Sequence, residues 1–535
     1  MSSPIPKSPE QSDKNKKYDR QLRLWGDHGQ KLLENSKVCL INATALGTEI
    51  LKSLVLPGIG SFTIVDGEKV TEEDIGSNFF LENETVGASR AQVATQCLLE
   101  LNPDVRGDYI DESAEHIIAN TENFFKNFDV VIGTVLSEKT LIPLSKHLWE
   151  CEVPLIVCRS IGFLGYIRLQ IKEHTVIEAH PDSESPDLRL DKLWPALEEY
   201  LSSINIEQLG RKEISHVPPV VILYYFLNKY KNDHGGNLPE TREEKELLKE
   251  MIKDVGKSED GNNRLILEEN FEQALHYVNT CVATRAIPNH VQTILEDDNC
   301  VNLTQHSSSF WIMCSALREM VKSEGVLPMK GTLPDMASDT HSFVTLQNIY
   351  QKQAQHQAES IYRRASQIAR DLGLPQETIT ENDVKYFCKH SSELYLIRGS
   401  CIADEYEKTS LDLTSYLEDP DSLIFYYVIL RGLERFINEF NAYPGQMDDQ
   451  VEPDILKLKG IIGKLLNEWG YSHVLRDEKV HEVCRYGGAE LHSVSSILGG
   501  CAAQEVIKVI TNQYKPLNNT FIYDAINSTS ATFCL

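Results

Sequence analysis

Short apolar runs alternate with helix-like segments over the first third of the chain, at the spacing of an α/β fold. The runs are VCLIN, ending at Asn42, SFTIVDG, ending at Gly67, and DVVIGTV, beginning at Asp129. A helical pattern, SRAQVATQCLLELN, separates the second run from the third. VPLIVCRS and FLGYIRLQI continue the series to about Ile171. This order predicts a parallel sheet with crossover helices.

From about Lys172 to Lys479 the pattern changes to long amphipathic helices separated by Pro and Gly, such as REEKELLKEMIKDVG and SLIFYYVILRGLERFINEF. A small-residue helix, SSILGGCAAQEVIKVIT, and a short strand, NTFIYDA, follow, and we expect this helix to pack within its own domain. The sequence therefore predicts one α/β domain, residues 18–171 and 480–535, interrupted by an all-helical insert, residues 172–479. Residues 1–17, rich in Ser, Pro and Lys, predict a disordered tail.

Composition narrows the possible partners. The chain has 79 acidic and 52 basic side chains, a net charge of −27, which opposes binding to nucleic acid or to an anionic membrane surface. None of the 12 cysteines forms a C-x-x-C pair, which disfavours a zinc site. The longest apolar run, Leu423 to Leu430, is shorter than the roughly 20 residues that span a bilayer, so we expect a buried helix there. The polar start favours an intracellular location, in the cytoplasm or the nucleus.

The turn after the first strand is where a nucleotide-binding fold carries its glycine loop, G-x-G-x-x-G. Here Asn42, Thr44 and Gly47 occupy the three glycine positions. Asn tolerates left-handed geometry, but the β-branched Thr44 side chain would stand where phosphate oxygens lie. Gly47 retains the glycine whose usual task is close packing of the helix on the strand. The pattern predicts the fold without its phosphate cradle.

Asp66, at the end of the second strand, stands where an acid that binds ribose is expected. An ordinary Asp-Gly turn explains the same residue equally well. An oxidoreductase or methyltransferase with an intact dinucleotide fold is disfavoured, because two loop glycines are missing and no Cys, His or Lys constellation lies nearby in the sequence.

Several motifs together resemble the adenylation domains of the ubiquitin-like-activating enzymes. They are YDRQLRLWG, SFTIVDGEKV, VGASRAQVA, SSILGGCAAQEVIKVIT and PLNNTFIYDA, in the family's order. The segments HPDSESPDLRLDKLWP, KGTLPDM (Lys330 to Met336) and SATFCL are similar to those of the regulatory subunits of heterodimeric neddylation-activating enzymes. The resemblance implies a Rossmann-like adenylation domain that carries a large helical insert.

This chain departs from the family at the positions that handle nucleotide. Asn42, Thr44 and Ala45 fall in the glycine loop, Ser77 and Asn78 take the place of an Arg-Gln pair, and Leu136 and Ser137 that of an Asp-Asn pair. Leu136 cannot bind Mg²⁺, which prefers oxygen ligands. The family's nucleophilic cysteine stands in a Pro-x-Cys-Thr context, which no cysteine here has, and we expect Cys281, Cys300, Cys314, Cys388 and Cys401 to be core residues. The resemblance implies a chain that binds no cofactor, with ATP and Mg²⁺ in the partner subunit.

Arg20 is the candidate for a direct part in the reaction. Helical spacing in YDRQLRLWG puts Tyr18, Leu22 and Trp25 on one face and turns Arg20 and Arg23 away from it. Both arginines would be solvated by default. The resemblance favours Arg20 as a residue that reaches the partner's ATP in trans, and leaves Arg23 undecided.

The resemblance also implies partner contacts by two segments of the insert. These are ISHVPP, with His216, and the loop and helix start that follow Lys330; the candidate residues are His216, Pro334, Asp335, Met336, Asp339, Thr340, His341 and Leu346. A lone histidine without a second ligand at suitable spacing is not a metal-site candidate.

The hypothesis from the sequence is a regulatory subunit, inactive on its own, in an obligate heterodimer. The partner would adenylate the ubiquitin-like modifier of neddylation, form its thioester and pass it to a conjugating enzyme. The regulatory subunit of sumoylation is the nearest alternative, but it lacks an insert of this size. The second alternative is a pure scaffold that takes no part in catalysis.

Overall fold

The computed structural model describes residues 16–121, 123–181, 186–259, 265–281, 286–407, 412–471 and 474–535. Of the predicted disordered tail, residues 1–17, the first 15 residues lie outside the described part of the chain. The described chain forms two compact units. We call them the α/β unit, residues 16–176 and 396–535, and the helical unit, Ile177–Tyr395.

The first stretch of the α/β unit alternates strands and helices. Its strands are β1 (Lys37–Ile41), β2 (Ser61–Val65), β3 (Arg106–Ile110), β4 (Val130–Thr134), β5 (Leu155–Ile161), β6 (Leu164–Gln170) and β7 (His174–Val176). Its helices are α1 (Asp19–Asn35), α2 (Ala45–Val55), α3 (Glu72–Ser77), α4 (Arg90–Leu101), α5 (Ala114–Asn120) and α6 (Glu138–Glu150).

The helical unit follows, with one short antiparallel strand pair inside it. Its elements are α7 (Pro195–Ser203), α8 (Arg211–Ile214), α9 (Pro219–Asp233), α10 (Arg242–Gly256), β8 (Lys257–Glu259), β9 (Leu265–Leu267), α11 (Glu269–Cys281), α12 (Asn289–Glu296), α13 (Asp298–Val301), α14 (Ser309–Glu324), α15 (Thr340–Asp371) and α16 (Glu381–Lys389).

The chain then returns to the α/β unit. These last elements are β10 (Tyr395–Ile397), α17 (Ile402–Glu407), α18 (Thr414–Leu417), α19 (Ile424–Phe440), α20 (Val451–Trp469), α21 (Asp477–Arg485), α22 (His492–Thr511), β11 (Thr520–Asp524) and β12 (Thr529–Phe533).

Within the described residues, the main sheet has the order β12-β11-β6-β5-β4-β1-β2-β3. Strands β1 to β5 pair in parallel, with Val38 opposite both Phe62 and Val130 in register. Strands β6, β11 and β12 continue the sheet in antiparallel pairs. The predicted Rossmann-like fold is confirmed, and the C-terminal strand β11 does return to the sheet formed by the N-terminal third of the chain.

Helix α22 packs on α2 inside the α/β unit, and its small residues allow this approach. A Cβ atom added at Gly499 would lie 2.8 Å from the Glu49 Cβ atom, closer than side chains tolerate. Leu498 and Ala502 of the same helix enter the apolar core beneath the sheet with Ile156 and Ile167. The small-residue pattern therefore serves packing within its own domain, as the sequence predicted.

The sequence predicted that the insert ends at residue 479, but the structure places its end elsewhere. The structure changes units at Tyr395 and Leu396, so α19 and α20 belong to the α/β unit. Their apolar faces form one core cluster with side chains of the sheet, including Leu164, Ile522 and Phe533. Helical periodicity reveals an apolar face but not the surface that it covers, so the sequence placed these helices in the insert.

Candidate functional site

The carboxyl ends of β1, β2 and β4 surround a cavity of about 290 Å³ in the α/β unit. In this fold, ligands bind at the carboxyl edge where the strand order reverses, which here is between β1 and β4. The cavity is lined by Asn42, Thr44, Gly67, Glu68, Arg90, Ser113, Ala114, Glu115, Val135, Leu136, Ser137 and Thr140. Several predicted loop residues and lost positions thus line one cavity, which we call the degenerate pocket.

The turn between β1 and α2 keeps its backbone shape through substitutes for glycine. Asn42 adopts a left-handed φ of 65°, which Asn tolerates better than most residues. Its side-chain Nδ2 donates to the Thr134 carbonyl at 2.8 Å. A Cβ atom at Gly47 would lie 2.7 Å from the Asn42 carbonyl oxygen and 3.2 Å from the Leu40 side chain. Gly47 therefore allows α2 to approach β1, which is the packing task expected of it.

Thr44 uses its hydroxyl to cap α2 instead of leaving the helix end open. Its Oγ1 accepts a hydrogen bond from the Gly47 backbone N–H at 3.3 Å and donates to the Thr134 Oγ1 at 3.2 Å. The first backbone N–H groups of a helix are its natural anion-binding donors. The Thr44 hydroxyl therefore occupies one of these N–H donors, that of Gly47, which is no longer available to an anion.

Asp66 is fully buried and engaged by neighbouring groups of the chain. Arg90 donates to it from Nε at 2.7 Å and from Nη2 at 3.2 Å, and the backbone N–H of Ala43 donates at 2.8 Å. Arg90 also donates to Asp74 at 3.2 Å. The carboxylate that would bind ribose is thereby tied to the loop and to α4.

The positions of the lost Arg-Gln pair have become structural. Asn78 is buried, donates to the Ala43 carbonyl at 3.2 Å and accepts from the Thr48 hydroxyl at 3.1 Å. Ser77 is the last residue of α3 and carries no cation for phosphate.

The positions of the lost Asp-Asn pair are structural as well. Leu136 is buried in an apolar cluster with Ile41, Val131 and Leu141. Ser137 caps α6, accepting from the Thr140 backbone N–H at 3.3 Å. Leu136 presents no ligand for Mg²⁺ to the cavity, and the Ser137 hydroxyl is engaged at the start of α6. Among the described residues, no group of three His, Cys, Asp or Glu side chains is arranged to hold a metal ion.

Glu490, which the sequence analysis did not single out, lies at the N-terminus of α2. Its Oε2 accepts a hydrogen bond from the Ala45 backbone N–H at 2.9 Å. Burial raises the pKa of this carboxyl to about 7. The two residues are 445 positions apart, so no local pattern could have indicated the contact.

Arg20 lies on the exposed face of α1, whereas Tyr18 and Trp25 are buried on the other, as the helical pattern predicted. Arg23, also exposed, forms an ion pair of 3.1 Å with Asp19 on the same helix. Arg20 makes no such pair with any described residue, so its guanidinium is available to a ligand outside this chain.

The two segments predicted to contact a partner lie side by side in the helical unit. The Asp339 backbone N–H donates to the His216 carbonyl at 3.1 Å. Asp339 caps α15 by accepting from the Ser342 backbone N–H at 2.9 Å. Hydrogen bonds from the Ser342 hydroxyl and from this N–H lower the pKa of Asp339. His216, Asp335, Thr340 and His341 are exposed, and Pro334 and Met336 are partly buried.

Leu346 departs from that prediction. It is fully buried in the core of the helical unit, packed in one cluster with Tyr350 and Phe226. It sits on the inward face of α15, so its apolar side chain stabilises the unit and does not reach the surface.

The described cysteines of the predicted insert are core residues. Cys300, Cys314, Cys388 and Cys401 are buried. Burial raises the pKa of Cys300 to about 11 and that of Cys388 to about 12. Cys281 ends α11, and its side chain lies outside what the structure describes. The thiols of Cys300, Cys314 and Cys388, whose pKa burial raises, are held protonated at neutral pH and are poor nucleophiles.

One helix in the described residues, α22, has the length and mean hydropathy, 1.2, of a membrane-spanning helix. In the structure, 61% of that apolar window is buried. A core helix passes the same test of length and composition, and α22 packs on α2.

Comparison with known proteins covers both units. The model of the ThiF family matches residues 18–535. The Nedd8-activating enzyme E1 regulatory subunit of Drosophila melanogaster is 48% identical, with 100% of each chain covered. The subunit with that name from Xenopus laevis is 46% identical over 98% of this chain and 99% of the relative. The NEDD8-activating enzyme E1 regulatory subunit AXL of Arabidopsis thaliana is 38% identical over 97% and 99%.

Proposed function

The chain belongs to the ThiF family and, within it, to the regulatory subunits of the NEDD8-activating enzyme E1, and from this premise we propose that it is the half without nucleotide chemistry. The partner subunit binds ATP and Mg²⁺ and adenylates the C-terminus of NEDD8 with release of pyrophosphate. One of the partner's cysteines then displaces AMP from the adenylate and holds NEDD8 as a thioester. This chain supplies the matching half of the dimer and one cation for the reaction.

The observation that carries this proposal is the state of the degenerate pocket. Side chains of the chain itself engage the groups that would bind nucleotide: Thr44 and Glu490 at the start of α2, and Arg90 on Asp66. Leu136 adds apolar surface where Mg²⁺ needs an oxygen ligand. A phosphate would have to displace these contacts to reach the N–H groups of α2, and Arg90, the arginine that lines the pocket, is already paired with Asp66 and Asp74.

An assay of separated subunits tests the assignment. The purified chain, the catalytic subunit and their mixture are each incubated with Mg·ATP and NEDD8, and the thioester is resolved on a non-reducing gel. We expect thioester on the catalytic subunit in the mixture and none on this chain under any condition. ATP-dependent thioester on one of this chain's cysteines, or ATP hydrolysis by the chain alone, would overturn the proposal.

Arg20 is the cation that we assign to the partner's reaction. It is exposed on α1 and unpaired within the described chain, so a triphosphate can be reached without breaking an internal ion pair. A hydrogen bond from a charged donor contributes about 1.5–3 kcal/mol, equivalent to roughly 10- to 100-fold in rate if it forms in the transition state. This role distinguishes the chain from a pure scaffold.

The matched test replaces each arginine of α1 in turn. For Arg20→Ala we expect an intact heterodimer by gel filtration and a roughly 10- to 100-fold slower adenylation in pyrophosphate exchange. Arg23 lies on the same helix but is paired with Asp19, so the adenylation rate of Arg23→Ala should stay within about twofold of that of the unaltered heterodimer. Equal rates for Arg20→Ala and the unaltered heterodimer would favour the scaffold.

The helical unit is proposed to contact the partner through its two adjoining segments. His216, Asp335 and His341 are exposed there, close to the Asp339–His216 backbone contact. The double replacement Asp335→Ala with His341→Ala should weaken heterodimer assembly about tenfold, while His356→Ala, exposed elsewhere on α15, should not. Surface plasmon resonance measures both affinities. Equal affinities would remove this surface from the interface.

A further inference from the structure

Glu490 closes the N-terminal end of α2 from a distant part of the chain. Helix α2 runs over 11 residues, and its first N–H groups point to the edge of the sheet where this fold binds phosphate. The Glu490 Oε2 lies 2.9 Å from the Ala45 backbone N–H, and Thr44 caps the same first turn through the Gly47 N–H. A carboxylate thus stands where the oxygen of a phosphate would otherwise receive its hydrogen bond.

The support beneath Glu490 is rigid. The Gly162 backbone N–H donates to the Ala489 carbonyl at 2.7 Å, and Gly162 and Glu490 form a parallel β-bridge. Gly162 has a left-handed φ of 53°, and a Cβ atom there would lie 2.3 Å from the Tyr486 ring. The segment before α22 is therefore held against the turn between β5 and β6, which aims Glu490 at α2.

The second carboxylate oxygen shows that Glu490 is placed there against a cost. Glu490 Oε1 is buried and makes no hydrogen bond with another described residue. An unpaired buried oxygen destabilises the fold, so apolar packing does not account for a carboxyl group here. A negative charge at the positive end of a helix offsets part of this cost, which fits an anion-binding position and not an apolar contact.

We propose that the Glu490 carboxyl group occupies the phosphate position at the start of α2 and keeps nucleotide out of this half of the heterodimer. The inference rests on the proposed function, and deepens it by identifying what occupies the helix start beside the degenerate pocket. It accounts for how a family fold made to bind ATP is kept from competing with the catalytic subunit for the same nucleotide.

Chemical rescue tests the inference on the full chain at pH 8, where the carboxyl is ionised. Glu490→Ala opens the position, and inorganic phosphate should then raise its Tm by about 2–4 °C relative to chloride of equal ionic strength. Phosphate stabilises many proteins without binding a site, so the difference between variant and unaltered chain is the measured quantity. Glu490→Gln, which keeps an oxygen acceptor, and the exposed Glu478→Ala should show no added rise.

Each outcome decides the inference. Equal phosphate-specific shifts in Glu490→Ala and the unaltered chain would overturn it. If Glu490→Ala does not fold in chloride, refolding is repeated across phosphate concentrations, and failure of phosphate to recover folded protein would overturn it as well. The measurement uses neither ATP nor the partner, so its result is separate from that of the thioester assay that tests the proposed function.

Discussion

Arg90 binds the buried Asp66 carboxylate with two hydrogen bonds, Nε to Oδ2 at 2.7 Å and Nη2 to Oδ1 at 3.2 Å. The pair joins α4 to the end of β2, and its hydrogen bond to Ala43 extends the link to the loop before α2. Asp66 therefore has a structural task in this chain in addition to any trace of a nucleotide site. The sequence left open whether Asp66 is a ribose-binding acid or part of an ordinary Asp-Gly turn. The contacts with Arg90 and Ala43 show that it does more than form a turn.

Replacing Arg90 should destabilise the α/β unit strongly. Arg90→Ala leaves the Asp66 carboxylate buried without its cation, and breaking such a pair costs about 3–5 kcal/mol. Urea unfolding measures the change in the free energy of unfolding. Lys69→Ala, which removes an exposed pair with Asp111, is the control and should change it by less than about 1 kcal/mol. Similar effects from both variants would contradict a structural role for Arg90.

The retained loop glycine should tolerate no side chain. Gly47→Ala forces a Cβ atom to within 2.7 Å of the Asn42 carbonyl, and overpacking of this kind costs about 1–3 kcal/mol. Gly460, inside α20, has open space at its Cβ position, so Gly460→Ala should stabilise the chain by roughly 0.5–1 kcal/mol. Thermal unfolding of both variants compares the two directly. A neutral Gly47→Ala would show that the loop can move away.

Much of this site was accessible from the sequence because it depends on local patterns. Apolar runs with α/β spacing predicted β1, β2, β4, β5 and β6, and the glycine template located Asn42, Thr44 and Gly47 in the loop. Strand β3, Arg106–Ile110, was missed because it is an edge strand whose side chains are mostly polar or exposed. Edge strands carry a weak apolar signal.

The remaining features depend on contacts between distant residues. Glu490 reaches Ala45 across 445 positions, and α19 covers a sheet that the sequence assigned to another domain. Leu346 belongs to a segment predicted to contact the partner, but its side chain faces the core. A shift of one position along a helix moves a side chain from the surface to the interior. These three features depend on tertiary packing, which the periodicity of apolar residues alone does not predict.

Placing at position 136 the acid that the resemblance implies for the active relatives should not create a nucleotide site. Leu136→Asp places a carboxylate in the apolar cluster with Val131 and Leu141, so we expect a loss of at least about 3 kcal/mol and no binding of Mg·ATP. Leu136→Met keeps the volume and should cost less than about 1.5 kcal/mol. Urea unfolding and calorimetric titration with Mg·ATP give the two readouts. Nucleotide binding by the folded Asp variant would show that one residue inactivates the pocket.

Glu434 neutralises two buried arginines in the α/β unit. Its Oε1 lies 3.2 Å from Arg159 and its Oε2 3.5 Å from Arg431, and it accepts from the Tyr406 hydroxyl at 2.7 Å. Glu434→Gln leaves both guanidiniums without this carboxylate, so we expect a loss of about 3–5 kcal/mol in urea unfolding. Glu439→Gln, exposed on the same helix, is the control and should stay within about 0.5 kcal/mol. A mild effect at Glu434 would mean that the arginines find other acceptors.

Glu490 should make stability depend on pH in the neutral range. Burial raises its pKa in the folded chain to about 7, against 4.5 for an ordinary carboxyl, although the N–H of Ala45 and the charge of Arg90 act in the opposite direction. Between these values the folded state binds more protons than the unfolded state. The contribution of this carboxyl is therefore complete below about pH 4.5 and is lost as the pH rises through about 7.

Glu490→Gln removes this titration while leaving other groups in place. The difference in unfolding free energy between the unaltered chain and the variant should shift by about 1–3 kcal/mol from pH 5 to pH 8, in the variant's favour at the higher pH. Urea titrations at intervals of half a pH unit measure it, and subtraction cancels the titratable groups that both chains share. The exposed Glu478→Gln should give a flat difference. A flat difference for Glu490→Gln would mean that the carboxyl keeps its ordinary pKa and that the helix terminus, not burial, sets its ionisation.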